Sequence, residues 1–315
     1  MKNTIEREIT MNTIIRHVIA VIFIIMFMQL PLSSQTFSFE LPEKKPLNLK
    51  PLSKISFSDL NEASGLVKSR LWENVFWTLN DSGDEARIFP ISSVGEILKP
   101  EWMKDYRGIQ IPDAVNVDWE SIATDDQGHL IIADCGNNSN ARRDLALYII
   151  KEPYPWETVT TCVYRKIHFY YPEQKDFPST VKNFDAEAIY WQHGKVYLFT
   201  KNRGDNQTSL YEIDLKSGEE DIAAKLMGKF NTAGRVTGTD IHPDGKELIV
   251  LTEKSIWLFE VDKENQAFFE GKIYWLPITM PQCEAICFDD DRILLLNEPG
   301  DLYEISKKQF ELIKE

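Results

Sequence analysis

The sequence predicts an all-β chain, a β-propeller of five blades with four antiparallel strands in each, and three observations carry that expectation. After about residue 45 the 315-residue chain falls into short runs of β-branched and aromatic residues separated by Gly, Asn, Asp and Pro. No stretch there sustains the 3.6-residue period of an amphipathic helix. One short motif recurs five times, with a second strand at a nearly constant distance behind it.

The five starts are Glu62-Ala63-Ser64-Gly65-Leu66, Glu120-Ser121-Ile122, Glu187-Ala188-Ile189, Thr239-Asp240-Ile241 and Glu284-Ala285-Ile286. The second strands end in Asp81, Asp134, Lys201, Glu253 and Glu298, 14 residues on in every unit but the first, where a longer turn makes it 19. A third strand carries an aromatic: Phe89, Tyr148, Tyr211, Phe259 and Tyr303. A fourth, more variable strand closes each unit, as in 163–172 and 271–277. Each blade has two apolar faces that only neighbours can bury, and a ring removes the exposed end blades of a linear stack. Four-stranded units starting 45–67 residues apart are the pattern of such a ring. The segment 52–57 (LSKISF) is placed to give an outer strand to the last blade and close it. Six blades result if two units are fused in this count. A β-sandwich leaves the equal offsets unexplained.

Composition bounds the function classes. A net charge of −14 with 43% hydrophobic and 27% charged residues excludes a disordered polymer, a collagen-like repeat and a small disulfide scaffold. The acidic balance excludes a nucleic-acid partner, because a polyanion is repelled by most of such a surface. It suits a cationic partner.

Residues 1–35 read as an address. Lys2, Arg7, Arg16 and His17 precede an apolar run from Val18 to Leu30, and small residues follow at Ser33-Ser34. That is the layout of a secretory signal peptide, and the run is short of the roughly 20 apolar residues of a membrane span. An uncleaved anchor is the alternative, and Met11 is a plausible start. Residues 36–50 are then expected as linker and 51–315 as propeller, in a secreted or periplasmic protein with no stable membrane insertion after cleavage. Export would place the four cysteines in an oxidising space. Cys283 and Cys287 lie about 13 Å apart along one strand, too far to pair. Cys135 and Cys162 either pair or remain free thiols.

In a propeller the start of the first strand and the end of the second meet at one rim. Glu62, Glu120, Glu187 and Glu284, with Thr239 in the fifth place, are therefore expected around one mouth of the channel. Asp81, Asp134, Lys201, Glu253 and Glu298 form a second circle, with Asp118, Asp185 and Asp240 beside them. Crowded carboxylates raise one another's pKa, so they share protons, pair with cations or bind a hard metal ion. Ca²⁺ takes six to eight oxygens, which a mouth of five turns can supply. Zn²⁺ is disfavoured, since the five histidines are scattered and there is no HExxH. Alternatively, each Glu accepts backbone N–H bonds from the next blade as a purely structural lock. Lys201, Arg142, Arg143 and Arg203 offer cations for a phosphate or carboxylate, or neutralise the acids around them. The turn Asn80–Asp84 either adds oxygens to a cation or is a plain hairpin loop. There is no G-x-S-x-G elbow, Walker loop or dinucleotide fingerprint.

The runs NEASGLV…FWTLNDSGD, DWESIA…IIADCGNN and DAEAIY…LFTK resemble the bacterial propellers of the phytase-like and SdiA-regulated-like group, over roughly residues 55–305. The resemblance implies Ca²⁺ at the channel positions Glu62, Glu120, Glu187 and Glu284, and relatives in the wider group include calcium-dependent phosphatases and lactonases. The chain lacks the full run of acidic metal loops of the phytases. The expectation is an exported propeller with Ca²⁺ held by these glutamates together with Asp81, Asp134, Glu253 and Glu298. If it is catalytic, it is a metal-assisted hydrolase of a phosphoester, ester or lactone, with Glu187 or Glu120 as general base and Lys201 and Arg142 holding the anionic substrate. The rival is a non-catalytic propeller binding a carbohydrate or protein, and a glycan-acting variant would use paired carboxylates without metal.

Overall fold

A computed structural model gives the structure, which describes residues 36–205, 207–218, 221–260, 269 and 271–315. The expected signal peptide, 1–35, lies outside the described residues. Five sheets follow one another along the chain, each running outward from a first inner strand. Blade 1 is Ala63–Lys68, Phe76–Asn80, Arg87–Ile91 and Ile109–Gln110. Blade 2 is Trp119–Thr124, His129–Asp134, Ala146–Lys151 and Val163–Tyr170. Blade 3 is Ala186–Gln192, Lys195–Thr200, Gln207–Asp214 and Lys225–Asn231. Blade 4 is Val236–Ile241, Glu247–Thr252, Ser255–Glu260 and Ile273–Thr279. Blade 5 is Cys283–Asp289, Arg292–Asn297 and Asp301–Ser306, and its fourth strand is Ser53–Lys54, from before blade 1. The chain is therefore a five-bladed propeller, closed as the segment 52–57 implied. The expected linker is not free of the blades: Thr36–Phe37 pairs in parallel with the outer strand of blade 3, and Leu47–Asn48 with that of blade 4. No helix of the described residues is long and apolar enough to cross a membrane.

The repeated third-strand aromatic explains why this sequence closes a ring. Each lies in the apolar core shared with the preceding blade. Tyr148 of blade 2 packs with Trp77 and Leu79 of blade 1, Tyr211 of blade 3 with Ile131 and Leu147 of blade 2, and Phe259 of blade 4 with Tyr197 and Phe199 of blade 3. Tyr303 of blade 5 packs with Ile249 and Leu258 of blade 4, and Phe89 of blade 1 with Leu294 and Leu296 of blade 5. Five cores thus join five blades head to tail, and no blade is left with a bare face. Burial of this kind is the main favourable term in folding.

The inner strands approach one another closely, which constrains one position per blade to be small: Gly65, Ser121, Ala188, Gly238 and Ala285. A Cβ on Gly65, whose φ is +69°, would lie 3.0 Å from the backbone of Ser121 and Ile122 in blade 2. Every inner strand carries a β-bulge here: directly before the small position in four blades, at Glu120, Glu187, Thr237 and Glu284, and at Gly65 itself in blade 1.

That alignment corrects two of the expected ring positions. Aligned on the small residues, Ser64 and Thr237 rather than Glu62 and Thr239 stand where the other blades have Glu120, Glu187 and Glu284. The bulged residue of blade 1 is Gly65, so blades 1 and 4 carry no carboxylate at this position. The uniform spacing is partly coincidental as well. Trp119 pairs with Asp134, Ala186 with Thr200 and Val236 with Thr252, so the hairpins differ in length. Cys135 and Cys162 are not paired: Cys135 is buried, its thiol 3.2 Å from the Ala186 carbonyl oxygen, and Cys162 is exposed.

Candidate functional site

Each bulge lies where an inner strand reaches the rim. Lys201 of blade 3 lies with its Nζ 3.0 Å from Glu187 Oε2 on its own blade and 3.6 Å from Glu284 Oε1 on blade 5. Carboxylate oxygens of Asp81, Glu120 and Glu284, from blades 1, 2 and 5, lie within 4.8 Å of one another. Contacts between blades that are not ring neighbours place these groups at the axis.

Among the described residues blade 4 contributes no acid to this knot. Its Thr237 Oγ1 donates to the Cys283 carbonyl oxygen at 2.8 Å, and the Ser64 hydroxyl donates to that of Glu120 at 2.6 Å. Ser121 Oγ accepts from the Ile189 N–H at 3.1 Å. Hydroxyls thus make the blade-to-blade lock at these bulges, while Asp185 and Asp240 accept backbone N–H groups of neighbouring blades elsewhere. Among the described residues no backbone N–H donates to the carboxylates of Glu120, Glu187 or Glu284, which leaves those three for other work.

Glu120 is the most exposed to cost. It is 2% accessible, and no donor among the described residues reaches its carboxylate. Burial, then Glu187, Asp81 and Asp118, hold its pKa well above the usual carboxylate range. Burial with Asp185 and Glu284 pushes Glu187 up to about 7 despite the Lys201 ammonium. Burial and Asp81 push Asp118 to about 6. Asp81 is raised by burial with Glu284 and Glu62. Burial works against the charge of Lys201, but Glu187 and Glu284 outweigh it and its pKa rises.

Gly136 lies directly beneath two of these acids. A Cβ there would overlap Glu120 Oε1 and the Asp118 carboxylate, so only glycine lets both approach the second-strand end of blade 2. Gln282 Nε2 donates to Glu284 Oε1 at 3.0 Å and to Glu298 Oε1 at 2.7 Å, linking the inner and outer circles. Neither residue stood out in the sequence. Gly136 directly follows Asp134-Cys135, and Gln282 precedes the fifth repeat where the others have Glu62, Asp118, Asp185 and Arg235.

The other expected members surround this knot or lie apart from it. Glu62 is exposed at the rim just before the first inner strand, close enough to Asp81 and Glu298 for its charge to raise both. Asp134 accepts from the Asp118 N–H at 3.1 Å and pairs with Arg142 Nη1 at 2.8 Å; burial raises its pKa and Arg142 opposes this. Arg142 also holds Asp144 at 3.1 Å and donates to the Gly136 carbonyl oxygen at 2.9 Å, so its Nε and Nη1 are engaged away from the axial carboxylates. Glu253 pairs with Arg235 at 2.9 Å in an outer polar cleft. Glu298, half-turned to solvent, is raised by burial and Glu284. Asp185 is fully buried between Arg203 Nε at 2.9 Å and the Asn137 N–H at 2.6 Å. Asp240 is not at this mouth. It accepts from the N–H groups of Phe288 and Ile241 near the opposite end of the inner strands.

No protein-family model matches this sequence, and no curated protein matches it. Among solved structures, a chain of a crystal structure of the mitotic checkpoint complex is similar over 86% of this chain and 98% of its own, with TM-score 0.41 and 11% identity. The RRP9 WD40 repeats are similar over 79% of this chain and 67% of theirs, with TM-score 0.39 and 8% identity. The five-bladed ring rests on its own strand pairing and interblade cores.

Proposed function

We propose that the axial knot binds a divalent cation, Ca²⁺ by its donor chemistry, and that the mouth acts on or captures an oxygen-rich anionic ligand beside it. The observation that carries this reading is the buried Glu120 carboxylate, without a donor among the described residues and with Asp81 and Glu284 oxygens within 4.8 Å. Calcium–oxygen distances of about 2.3–2.6 Å allow oxygens so spaced to share one ion. The set is all oxygen and tolerates irregular geometry, as Ca²⁺ does and Zn²⁺ does not. The likeness of the repeats to phytase-like propellers points the same way.

A bound divalent cation supplies polarisation of a phosphoryl or carbonyl oxygen. The chain's own groups complete a hydrolytic site. Glu187, titrating near 7, is suited to take and return a proton at neutral pH. Arg203 Nη2, 3.5 Å from Glu187 Oε1, reaches from the polar cleft of about 440 Å³ beside Asn202 and Asp205 and is placed for an anionic group. Lys201 balances the ring, and Arg142 braces Asp134 and Gly136. The reaction class is hydrolysis of a phosphoester, ester or lactone. Residues 1–35 are read as an export signal, which N-terminal sequencing of the mature protein tests.

The test is a melting curve with and without millimolar Ca²⁺, on the wild type and on Glu120→Gln. The expected result is a rise of several degrees for the wild type and none for the variant, because a ligand bound only by the folded state stabilises it. Chromogenic phosphate, ester and lactone substrates then separate enzyme from binder, and Glu187→Gln abolishes turnover with the fold retained. The second reading is a metal-free binding propeller, favoured by Lys201 already sitting between Glu187 and Glu284. An unchanged wild-type melting temperature establishes it against the first.

A further inference from the structure

A second cavity, of about 270 Å³, opens on the mouth side of blade 2. The third strand there starts opposite Asp134, and the fourth ends beside that start, so the cavity lies between the loops bounded by Arg142–Leu145 and Tyr171–Phe177. Its charged lining is Arg142, Arg143 and Lys175, with no aspartate or glutamate among the lining residues. In a chain of net charge −14 that is a local inversion of sign.

Two features bear on what fits it. Arg142 is fixed through its Nε and Nη1 by Asp144, Asp134 and the Gly136 carbonyl, while its buried Nη2 finds no acceptor among the described residues. A buried donor of this kind needs an acceptor. The walls are rings, chiefly Phe169 and Phe177, and the Arg143 guanidinium lies 3.8 Å from the Phe177 ring centroid. Cation and ring in contact present a flat surface that is apolar on one side and positive on the other. The volume is below the roughly 300 Å³ at which pockets for drug-sized ligands begin, which suits a single ring.

We infer that this cavity binds a small aromatic anion, one ring bearing a carboxylate or phosphate, with the ring against Phe177 and the charge facing Arg142 Nη2, Arg143 and Lys175. Charge-assisted hydrogen bonds to guanidinium fix the anion, and ring contact selects the aryl body. The inference does not rest on a metal at the axis, since none of the three carboxylates grouped there lines this cavity.

Calorimetric titration of the full chain with phenyl phosphate and benzoate tests it, with inorganic phosphate and benzyl alcohol as the two halves of the ligand. Phenyl phosphate or benzoate is expected to bind about tenfold tighter than either half. The tighter of the two identifies the anionic group. Arg143→Ala and Lys175→Gln, both at exposed positions, weaken the aryl anion and inorganic phosphate together, and Phe177→Leu weakens only the aryl anion. Melting curves of these variants stay at the wild-type value, and their response to Ca²⁺ is unchanged. The inference is overturned if the aryl anions bind no better than inorganic phosphate. It is equally overturned if their binding survives Arg143→Ala and Phe177→Leu but is lost in Lys201→Met, which would place them at the axis.

Discussion

Lys201 and Glu284 belong to blades that are not neighbours in the ring, yet their ammonium and carboxylate lie 3.6 Å apart. A pair across the axis is available only where the ring is closed and narrow. Lys201 is 7% exposed and Glu284 4%, so each depends on the other for compensation. Removing one partner of a buried pair costs about 3–5 kcal/mol, because the remaining charge is stranded. Lys201→Met is expected to lower stability by that order at pH 8 and by less at pH 6, where the acids can hold protons. It should also tighten Ca²⁺ binding, since a competing cation is gone. Urea unfolding at the two pH values, repeated with Ca²⁺, checks both; an unaltered Ca²⁺ affinity would mean that the cation binds elsewhere.

Stability of the metal-free protein should fall as pH rises. Glu187 titrates near 7 in the folded chain against 4.5 when unperturbed, and Asp118 near 6 against 3.8. Asp240, half-buried at the opposite end, is pushed up by desolvation to about 7 against 3.8. The folded state therefore holds more protons than the unfolded state between about pH 4 and 7, and the stability these groups contribute is present below that window and lost through it. Calcium works in the opposite sense, because its ligands must be deprotonated. Melting temperatures from pH 5 to pH 8 should decline without Ca²⁺ and flatten or climb with it. A metal-free protein most stable at pH 8 would contradict the burial of these acids.

Gly136→Ala tests whether the two carboxylates above it are held where they act. The added Cβ would overlap both Glu120 and Asp118. Glu120 is on a buried strand and Asp118 is anchored through its backbone N–H to Asp134, so neither moves away cheaply. Overpacking of this sort costs about 1–3 kcal/mol. The variant should melt lower than the wild type and show little or no Ca²⁺-induced shift, whereas a purely structural role would lower the melting temperature and leave the shift intact.

The ring was legible in the sequence because its constraints repeat. The third-strand aromatics from Phe89 to Tyr303 each fill a core with the preceding blade, and that need is the same five times. The register was less legible because it was anchored on carboxylates, which vary, rather than on the small residues that close strand approach enforces. Aligning Gly65, Ser121, Ala188, Gly238 and Ala285 puts Ser64 and Thr237 at the positions of Glu120, Glu187 and Glu284, with Glu62 two residues earlier at the rim, where its charge still raises Asp81. The partners of the acids were not legible. Arg142 reaches back eight positions to Asp134, and Arg203 reaches Asp185, through loop conformations that no periodicity reports.

The closing strand gives a prediction about cooperativity. Ser53–Lys54 is the fourth strand of blade 5, antiparallel to Asp301–Leu302, and the Ile55 N–H donates to the Gly300 carbonyl oxygen at 2.8 Å. Ile55 is itself 3% exposed in the core shared by blades 5 and 1, with Phe57 packed against it. Removing residues 36–57 would strip blade 5 to three strands, open that core to water and expose an unpaired strand edge. Because each blade relies on its neighbours for its apolar faces, loss at one junction propagates around a closed ring. The truncated chain is expected to unfold in a broad transition at least several degrees below the full domain, and to aggregate. Ser53→Pro, by contrast, should cost far less, because it alters one residue of an edge strand and leaves Ile55 seated. Circular-dichroism melts of the two distinguish closure by the whole segment from a dispensable edge: equal melting temperatures for the truncated and full domains would mean that blades 5 and 1 hold together without it.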